Sequence, residues 1–143
     1  MTENEISAVI LDAAIFVHRA IGGPGLLESY YEVALARELM DRGLFVETQK
    51  PIPIIFKGVE IGNPFRLDML VEKKVIVECK ATENDHPIFK AQVLTYLRLT
   101  GLKLGLLINF GLPRILDGYC RVANGLDSPS PPPASPRTSP PLR

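Results

Sequence analysis

The chain has 143 residues, with 16 basic and 16 acidic side chains and no net charge at neutral pH. This balance argues against a protein that coats nucleic acid non-specifically, because such a protein needs an excess of Lys and Arg. Two cysteines are too few for a disulfide framework, and neither a signal-peptide pattern nor an apolar run of membrane-spanning length is present, so we expect a cytoplasmic protein.

The last segment, residues 127–143, differs in composition from the rest of the chain. It is dominated by proline and serine and carries almost no apolar side chains. Burial therefore cannot compensate for the entropy of ordering it. We expect one domain over residues 1–126, followed by a disordered or polyproline-like tail. The tail is either an inert extension or a docking segment for a proline-reading module.

Two helices are predicted before any strand. Thr2 and Glu5 have the spacing of a capping box, and apolar residues then recur at helical spacing, which predicts a first helix over about 3–20. Glycines in segment 22–25 end it, and a second helix is expected over about 26–42. Because no strand precedes segment 22–25, we interpret it as a hinge between helices and not as a phosphate-binding loop.

The middle of the chain predicts a sheet. Strands are expected at about 45–49, 52–56, 65–71 and 75–81. A third helix is expected to start near Pro87 and to end by Gly101. The apolar run 104–110 then predicts a central strand in a parallel, right-handed crossover. The predicted fold class is α/β: a mixed β-sheet, an antiparallel meander plus one parallel strand, flanked by helices on both faces.

The two charged strands of this meander are predicted to pair through a three-residue turn. In that register Asp68 lies directly across from Glu78. Period-2 alternation places Leu67 and Met69 together on one face and Asp68 on the other. Lys80, two residues beyond Glu78, shares the face of that glutamate.

Like charges that oppose each other destabilise a sheet, so the pair formed by Asp68 and Glu78 calls for a reason. One reason is a hard cation such as Mg²⁺, which binds through one or two carboxylates and leaves positions for water and phosphate oxygens. Lys80 would then orient the attacking water or stabilise developing negative charge. The alternative is a half-solvated sheet face whose charges have no catalytic role, with Lys80 in a surface ion pair.

Basic residues are concentrated in the last third of the ordered region. Between residues 86 and 125 one acidic residue, Asp117, accompanies five basic ones: Lys90, Arg98, Lys103, Arg114 and Arg121. If these five converge in space, they form a local basic face. The sequence leaves their convergence open.

Residues 25–31 carry a short motif, Gly-x-x-Glu-x-x-Tyr, at Gly25, Glu28 and Tyr31. In this segment the chain resembles the GxxExxY protein family. Each residue also has a structural explanation. A carboxylate such as Glu28 favours the positive end of a helix dipole. The spacing of Tyr31 from neighbouring leucines favours a place in the core.

The charged strands and the third helix carry two more motifs. Asp68, Glu78 and Lys80 resemble the Asp…Glu-x-Lys core of the PD-(D/E)xK nuclease superfamily, to which the GxxExxY family is similar. Gln92 and Tyr96 resemble the Gln-x-x-x-Tyr motif of the RecB-like branch of that superfamily. Taken alone, these two could be a solvated amide and an interfacial aromatic residue. The motifs together occur in the same chain order as in those families.

The resemblance covers about residues 3–125 and implies a restriction-endonuclease-like core. It implies a Mg²⁺- or Mn²⁺-dependent nuclease that hydrolyses phosphodiester bonds of nucleic acid, with DNA as the expected substrate, and it suggests a homodimer. The alternative is a catalytically silent module of the same fold that binds nucleic acid or a protein partner.

The resemblance also assigns roles to single residues. It implies metal ligation by Asp68, by Glu78 and by the backbone carbonyl of Cys79, a position where an apolar residue is usual. Glu28 would reach the metal or its water, and Lys80 would be the catalytic cation. All four charged residues are then catalytic. Gln92 and Tyr96, one helical turn apart, would contact the substrate backbone.

Overall fold

The structure is a computed structural model that describes residues 1–84 and 86–126. The elements in chain order are α1 (Glu3–Ile21), α2 (Glu28–Asp41), β1 (Val46–Ile52), β2 (Ile55–Phe56), β3 (Val59–Glu60), β4 (Phe65–Val71), β5 (Val75–Lys80), α3 (Pro87–Thr100), β6 (Leu104–Asn109), α4 (Ile115–Gly118) and β7 (Tyr119–Ala123). The tail predicted at 127–143 lies outside the described residues. Within these residues, none of the helices has the length and apolar character needed to cross a membrane.

Five strands form one mixed sheet in the order β1-β4-β5-β6-β7. The pairs β1/β4, β4/β5 and β6/β7 are antiparallel, while β5 and β6 are parallel and are connected through α3. One apolar cluster joins α1 and α2 to the sheet, and a second joins α3 to it. The predicted α/β class, with a meander, one parallel pair and helices on both faces, is confirmed.

Local sequence explains the limits of α1. Thr2 Oγ accepts a hydrogen bond from Glu5 N at 3.1 Å, and the Glu5 side chain accepts one from Thr2 N at 2.8 Å. These two bonds satisfy donors that a helix start leaves unpaired. At the other end Gly22 adopts a left-handed φ of 104°, which a residue with a side chain rarely adopts. The predicted capping box is confirmed.

The strand predicted at 52–56 is wrong. Ile52 ends β1, and Pro53 follows, which has no N–H to donate to a ladder. Ile55–Phe56 instead pairs with Val59–Glu60 in a separate two-stranded hairpin. Its turn is the predicted one, with positive φ at residues 57 and 58, the geometry that matches the twist of paired strands.

The alternation predicted along β4 is wrong at Leu67. Leu67 packs with the cluster under α3, whereas Met69 belongs to the cluster under α1 and α2. In the β1/β4 ladder Thr48 pairs with Met69, and Lys50 pairs with Leu67. In a regular ladder Gln49 would therefore pair with Asp68. Gln49 has a φ of 50°, outside the extended region. The sheet is therefore irregular at the position of Asp68.

The last strand of the sheet, β7, was not predicted from the sequence. After β6 the chain forms the short helix α4 and returns as β7, which pairs with β6 from Leu104↔Ala123 to Ile108↔Tyr119. Cys120 and Arg121 interrupt the apolar pattern of β7, as is common on an edge strand that faces solvent. The strand β6 is thereby buried on both sides, as its apolar run predicted.

Candidate active site

The two opposed carboxylates meet where the β4/β5 ladder stops. The pairing runs from Val71↔Val75 to Met69↔Val77, which confirms the predicted register over those pairs. Beyond it the side chains replace the ladder: Glu78 Oε2 accepts from the backbone N–H of Asp68 at 2.7 Å, and Asp68 Oδ2 accepts from that of Cys79 at 2.8 Å. Each carboxylate thus fixes the backbone of the opposite strand.

Both carboxyl groups lie in a poorly solvated place, where their ionised forms are unfavourable. Burial raises the pKa of Glu78 to about 8, and the negative charge of Asp68 adds to this effect. Burial also raises the pKa of Asp68, to which the charge of Glu28 contributes, while the Cys79 N–H and Lys80 oppose the shift. Without a further cation, the site carries more negative charge than its surroundings compensate.

Two residues of this cluster were missed from the sequence, Glu32 and Gln49. Glu32 is 9% exposed, and its carboxylate accepts a hydrogen bond from Gln49 Nε2 at 2.5 Å. Burial raises the pKa of Glu32, and the charges of Asp68 and Glu28 raise it further. The available signal was spacing, because residues four apart on a helix share a face. Glu32 therefore lies on the same face of α2 as Glu28, within electrostatic reach of Asp68.

Glu28 is the first residue of α2, and its side chain is exposed. Its negative charge raises the pKa of both Asp68 and Glu32, so it lies within electrostatic reach of the buried pair. Its position in the first turn also satisfies the helix-dipole explanation.

Tyr31 is a core residue and organises the loop that precedes Glu28. Its side chain is fully buried, and its ring stacks on Phe110 with centroids 4.8 Å apart. The hydroxyl donates to Gly23 O at 2.8 Å and accepts from Leu26 N at 3.1 Å. The tyrosine of the Gly-x-x-Glu-x-x-Tyr motif therefore fixes the chain just before the helix that presents the glutamate.

Replacing Tyr31 with phenylalanine removes those two hydrogen bonds and keeps the ring stacking. We expect the free energy of unfolding to fall by about 1–3 kcal/mol, because the Gly23 carbonyl and the Leu26 N–H lose their partner in a part-buried place. Urea unfolding at neutral pH measures this. Tyr30→Phe is the matched control, since Tyr30 is 60% exposed. Equal stability of the two variants would show that the hydroxyl does not hold the loop.

Lys80 is the last residue of β5 and lies close to the two carboxylates. It is half-buried, and its Nζ lies 4.7 Å from the centroid of the Phe89 ring on α3. Burial raises the pKa of both Asp68 and Glu78, and the positive charge of Lys80 opposes this rise. Among the described residues Lys80 forms no salt bridge. The surface ion pair of the alternative interpretation is thus not seen within residues 1–84 and 86–126, and the catalytic role of Lys80 stays a prediction.

The backbone that carries Lys80 is tied to the next strand. Lys80 O accepts from Phe110 N at 2.7 Å. The buried Asn109 side chain accepts from Thr82 N at 3.0 Å and donates to Thr82 O at 3.1 Å. A Cβ on Gly111 would lie 2.4 Å from Thr82 O, so only glycine permits this approach. The end of β5 is therefore held firmly beside the carboxylates.

Tyr96 reaches the same site from α3, whereas Gln92 stays at the surface. The Tyr96 ring packs edge-on against Phe65 at 5.1 Å. Burial raises the pKa of Tyr96, and the charges of Glu78 and Asp68 add to this, which places its hydroxyl within their field. Gln92 is exposed one turn earlier and makes no hydrogen bond within residues 1–84 and 86–126.

The five basic residues of the last third do not converge on one face. Arg121 bonds Ser7 Oγ at 2.6 Å on the α1 side of the sheet. Arg114 pairs with Asp117 at 3.5 Å, and Lys90 is exposed on α3. In the part of the chain that the structure describes, these five residues therefore do not form a single basic face.

The donors present suit a hard cation that keeps some of its water. Within the described ranges, no three His, Cys, Asp and Glu side chains lie close enough to enclose an ion. Asp68 and Glu78 nevertheless provide two neighbouring carboxylates, and their raised pKa values show that negative charge there lacks compensation. Mg²⁺ typically binds through one or two carboxylates plus water. The residues fit such an ion.

A mixed sheet with one parallel pair, helices on both faces and opposed carboxylates at the end of a meander defines a restriction-endonuclease-like fold. A family model of the PD-(D/E)XK nuclease superfamily matches residues 4–122. The chain belongs to the PD-(D/E)XK nuclease superfamily.

Two further comparisons add little. Among solved structures, the chain is similar to one described as the crystal structure of SSO0001, with 18% identity and a TM-score of 0.44 over 85% of this chain and 79% of that one. Likeness at this level says nothing about activity. A search of the curated proteins found no match.

Proposed function

We propose that this protein is a metal-dependent nuclease that hydrolyses phosphodiester bonds of nucleic acid, with DNA as the first substrate to test. One observation carries the proposal: the buried Glu78 and the partly buried Asp68 form a carboxylate pair beside Lys80. Like charges that oppose each other are costly in a sheet, and such perturbed groups cluster at functional sites. Membership of a nuclease superfamily supports the same conclusion.

In this proposal Asp68, Glu78 and the Cys79 backbone carbonyl would hold Mg²⁺ or Mn²⁺, and Glu28 would contact the ion or its water. When bound, the ion supplies Lewis-acid activation of a water molecule and neutralises charge on the phosphate. The Lys80 ammonium stabilises the negative charge that develops on the phosphoryl oxygens. Gln49, which donates a hydrogen bond to Glu32, also lowers the pKa of Asp68 and so favours its ionised form.

The substrate would lie across the α3 face of the sheet. Tyr96 presents a hydroxyl near the carboxylates, and Gln92 offers an exposed amide one turn away. Both groups can donate hydrogen bonds to phosphate oxygens, the commonest kind of protein contact to nucleic acid. Their role is therefore to position the backbone of the substrate.

The finer parts of the resemblance belong to the same proposal. They are membership of the GxxExxY family, kinship with the RecB-like branch, and action as a homodimer. The Tyr31 contacts support the first of these, because they give the tyrosine of the motif a structural part in the loop before Glu28. Two free cysteines support a reducing, cytoplasmic setting. The domain is proposed to end near residue 126.

The experiment is a cleavage assay on labelled single-stranded, duplex and branched DNA and on RNA, in Mg²⁺, in Mn²⁺ and in EDTA. We expect cleavage of at least one substrate with either metal and none in EDTA. Cleavage that persists in EDTA would contradict the metal-dependent mechanism. Binding to these nucleic acids without cleavage under any condition would instead support the second candidate, a silent binding module, which the near-neutral charge favours.

A further inference from the structure

A cavity of about 390 Å³ opens on the α3 side of the sheet, next to the carboxylate site. We call it the α3 cavity; its lining includes His86, Lys90, Leu107, Asp117 and Cys120. Sites for small organic groups usually have volumes of this order, with an apolar floor and a few polar groups. Nothing in the mechanism above uses this cavity.

The strand register places the α3 cavity in line with the active site. Glu78 pairs with Leu107 in the parallel ladder, and Leu107 pairs with Cys120 in the antiparallel one. Paired residues project from the same face of a sheet, and neighbouring strands lie about 4.8 Å apart. The cavity floor at Cys120 is therefore roughly 10 Å from Glu78, which is a few nucleotides along a strand.

A wall of rings connects the same two places. Lys80 Nζ lies 4.7 Å from the centroid of the Phe89 ring, and the His86 ring meets Phe89 edge-on at 5.3 Å. His86 also lines the α3 cavity. A nucleic-acid strand that runs from Lys80 along α3 therefore passes over aromatic side chains before it reaches the α3 cavity.

We propose that the α3 cavity binds an unpaired nucleotide of the substrate, a few nucleotides from the phosphate that is cleaved; this rests on the proposed nuclease function. The apolar floor of Leu107 and Cys120 and the His86 ring accept the face of a base, which stacks without regard to its identity. Lys90 is exposed and neutralises a phosphate. Asp117 can accept a hydrogen bond from an exocyclic amino group. The two opposite charges orient the nucleotide.

Cys120 gives this proposal a direct probe. The chain has two cysteines, of which Cys79 is fully buried and Cys120 is partly exposed in the cavity wall. We would measure alkylation of Cys120 by iodoacetamide in Ca²⁺, alone, with a single-stranded DNA or RNA oligonucleotide, and with an abasic DNA of equal length. At a fivefold excess over its Kd, the oligonucleotide should slow alkylation at least about fivefold, and the abasic DNA should not.

Charge variants supply the matched comparison. Lys90→Gln should weaken both the protection of Cys120 and the affinity measured by fluorescence anisotropy. Lys103→Gln should change neither, because Lys103 lies beyond the opposite end of β6. Each of the two substitutions removes one positive charge from the protein. An equal loss in both variants would show a general electrostatic effect and would overturn the assignment of Lys90.

The outcomes separate the subsite from the nuclease function. Unchanged alkylation while an oligonucleotide is bound or cleaved would overturn the subsite and leave the nuclease proposal standing. Equal protection by the abasic DNA would also overturn it, because no base would then occupy the cavity. If no nucleic acid is bound or cleaved, both proposals fall, and a protein side chain becomes the occupant to test.

Discussion

Replacing Asp68 with asparagine is expected to abolish cleavage without unfolding the protein. The asparagine oxygen can still accept the hydrogen bond from Cys79 N, so the strand end keeps its geometry. The variant loses one of two proposed carboxylate ligands, and we expect the cleavage rate to fall at least about 10³-fold. A gel-based rate with excess enzyme measures this.

The same variant makes a second, opposite prediction for stability. Burial and the charge of Glu28 raise the pKa of Asp68, so the ionised side chain is unfavourable in the metal-free fold. In EDTA the variant should therefore be at least as stable as the wild type in urea, and Mg²⁺ or Mn²⁺ should raise the melting temperature of the wild type alone. Asp41→Asn, at an exposed surface pair, is the control. A clearly destabilised metal-free variant would point to a structural role for Asp68.

Replacing Glu78 with glutamine should change how stability depends on pH. Burial raises the pKa of Glu78 to about 8 in the folded protein, from 4.5 in a solvated chain. Between these values the folded state holds a proton that the unfolded state has released. The metal-free wild type therefore loses stability as the pH rises from about 4.5 to about 8, whereas the glutamine variant has no such loss from this position.

The expected difference is large for a single side chain. Because Glu78 is 6% exposed, solvent screens the effect little, and the variant should exceed the wild type by about 4 kcal/mol at pH 8 and by little at pH 4.5. Urea unfolding in EDTA at several pH values measures this, with Glu60→Gln, an exposed glutamate on β3, as the control. A difference that stays constant with pH would contradict the raised pKa.

The sequence predicted the opposed carboxylates because apolar residues set the register of β4 and β5. Once Leu70 is paired with Ile76, a regular hairpin leaves no other partner for Asp68 than Glu78. The capping box of α1 and the buried strand β6 were readable for a similar reason. Each depends on local chemistry within a few residues, which a pattern can show.

The rest of the site depends on long-range geometry. The backbone of Gln49 leaves the extended region, with a φ of 50°, and its side chain reaches the carboxylates. Glutamine has no particular preference for a positive φ, so the sequence does not predict this conformation. On the neighbouring strand, Leu67 packs on the opposite face of the sheet from the one that alternation predicts. Glu32 becomes part of the cluster only because α2 packs on the face where Gln49 lies. Helical spacing puts Glu32 on the face of Glu28, but no spacing rule gives the backbone of Gln49, the position of Leu67 or the packing of α2.

The most direct test of the mechanism is the cleavage rate of Lys80→Ala beside the wild type and Lys103→Ala, on whichever substrate the wild type cleaves, in Mn²⁺. Lys80 lies next to Asp68 and Glu78 and forms no salt bridge among the described residues, so its removal should spare the fold and remove charge stabilisation at the reacting phosphate. We expect a loss of at least about 10²-fold for Lys80→Ala and none for Lys103→Ala. Equal rates for all three proteins would contradict the proposed active site.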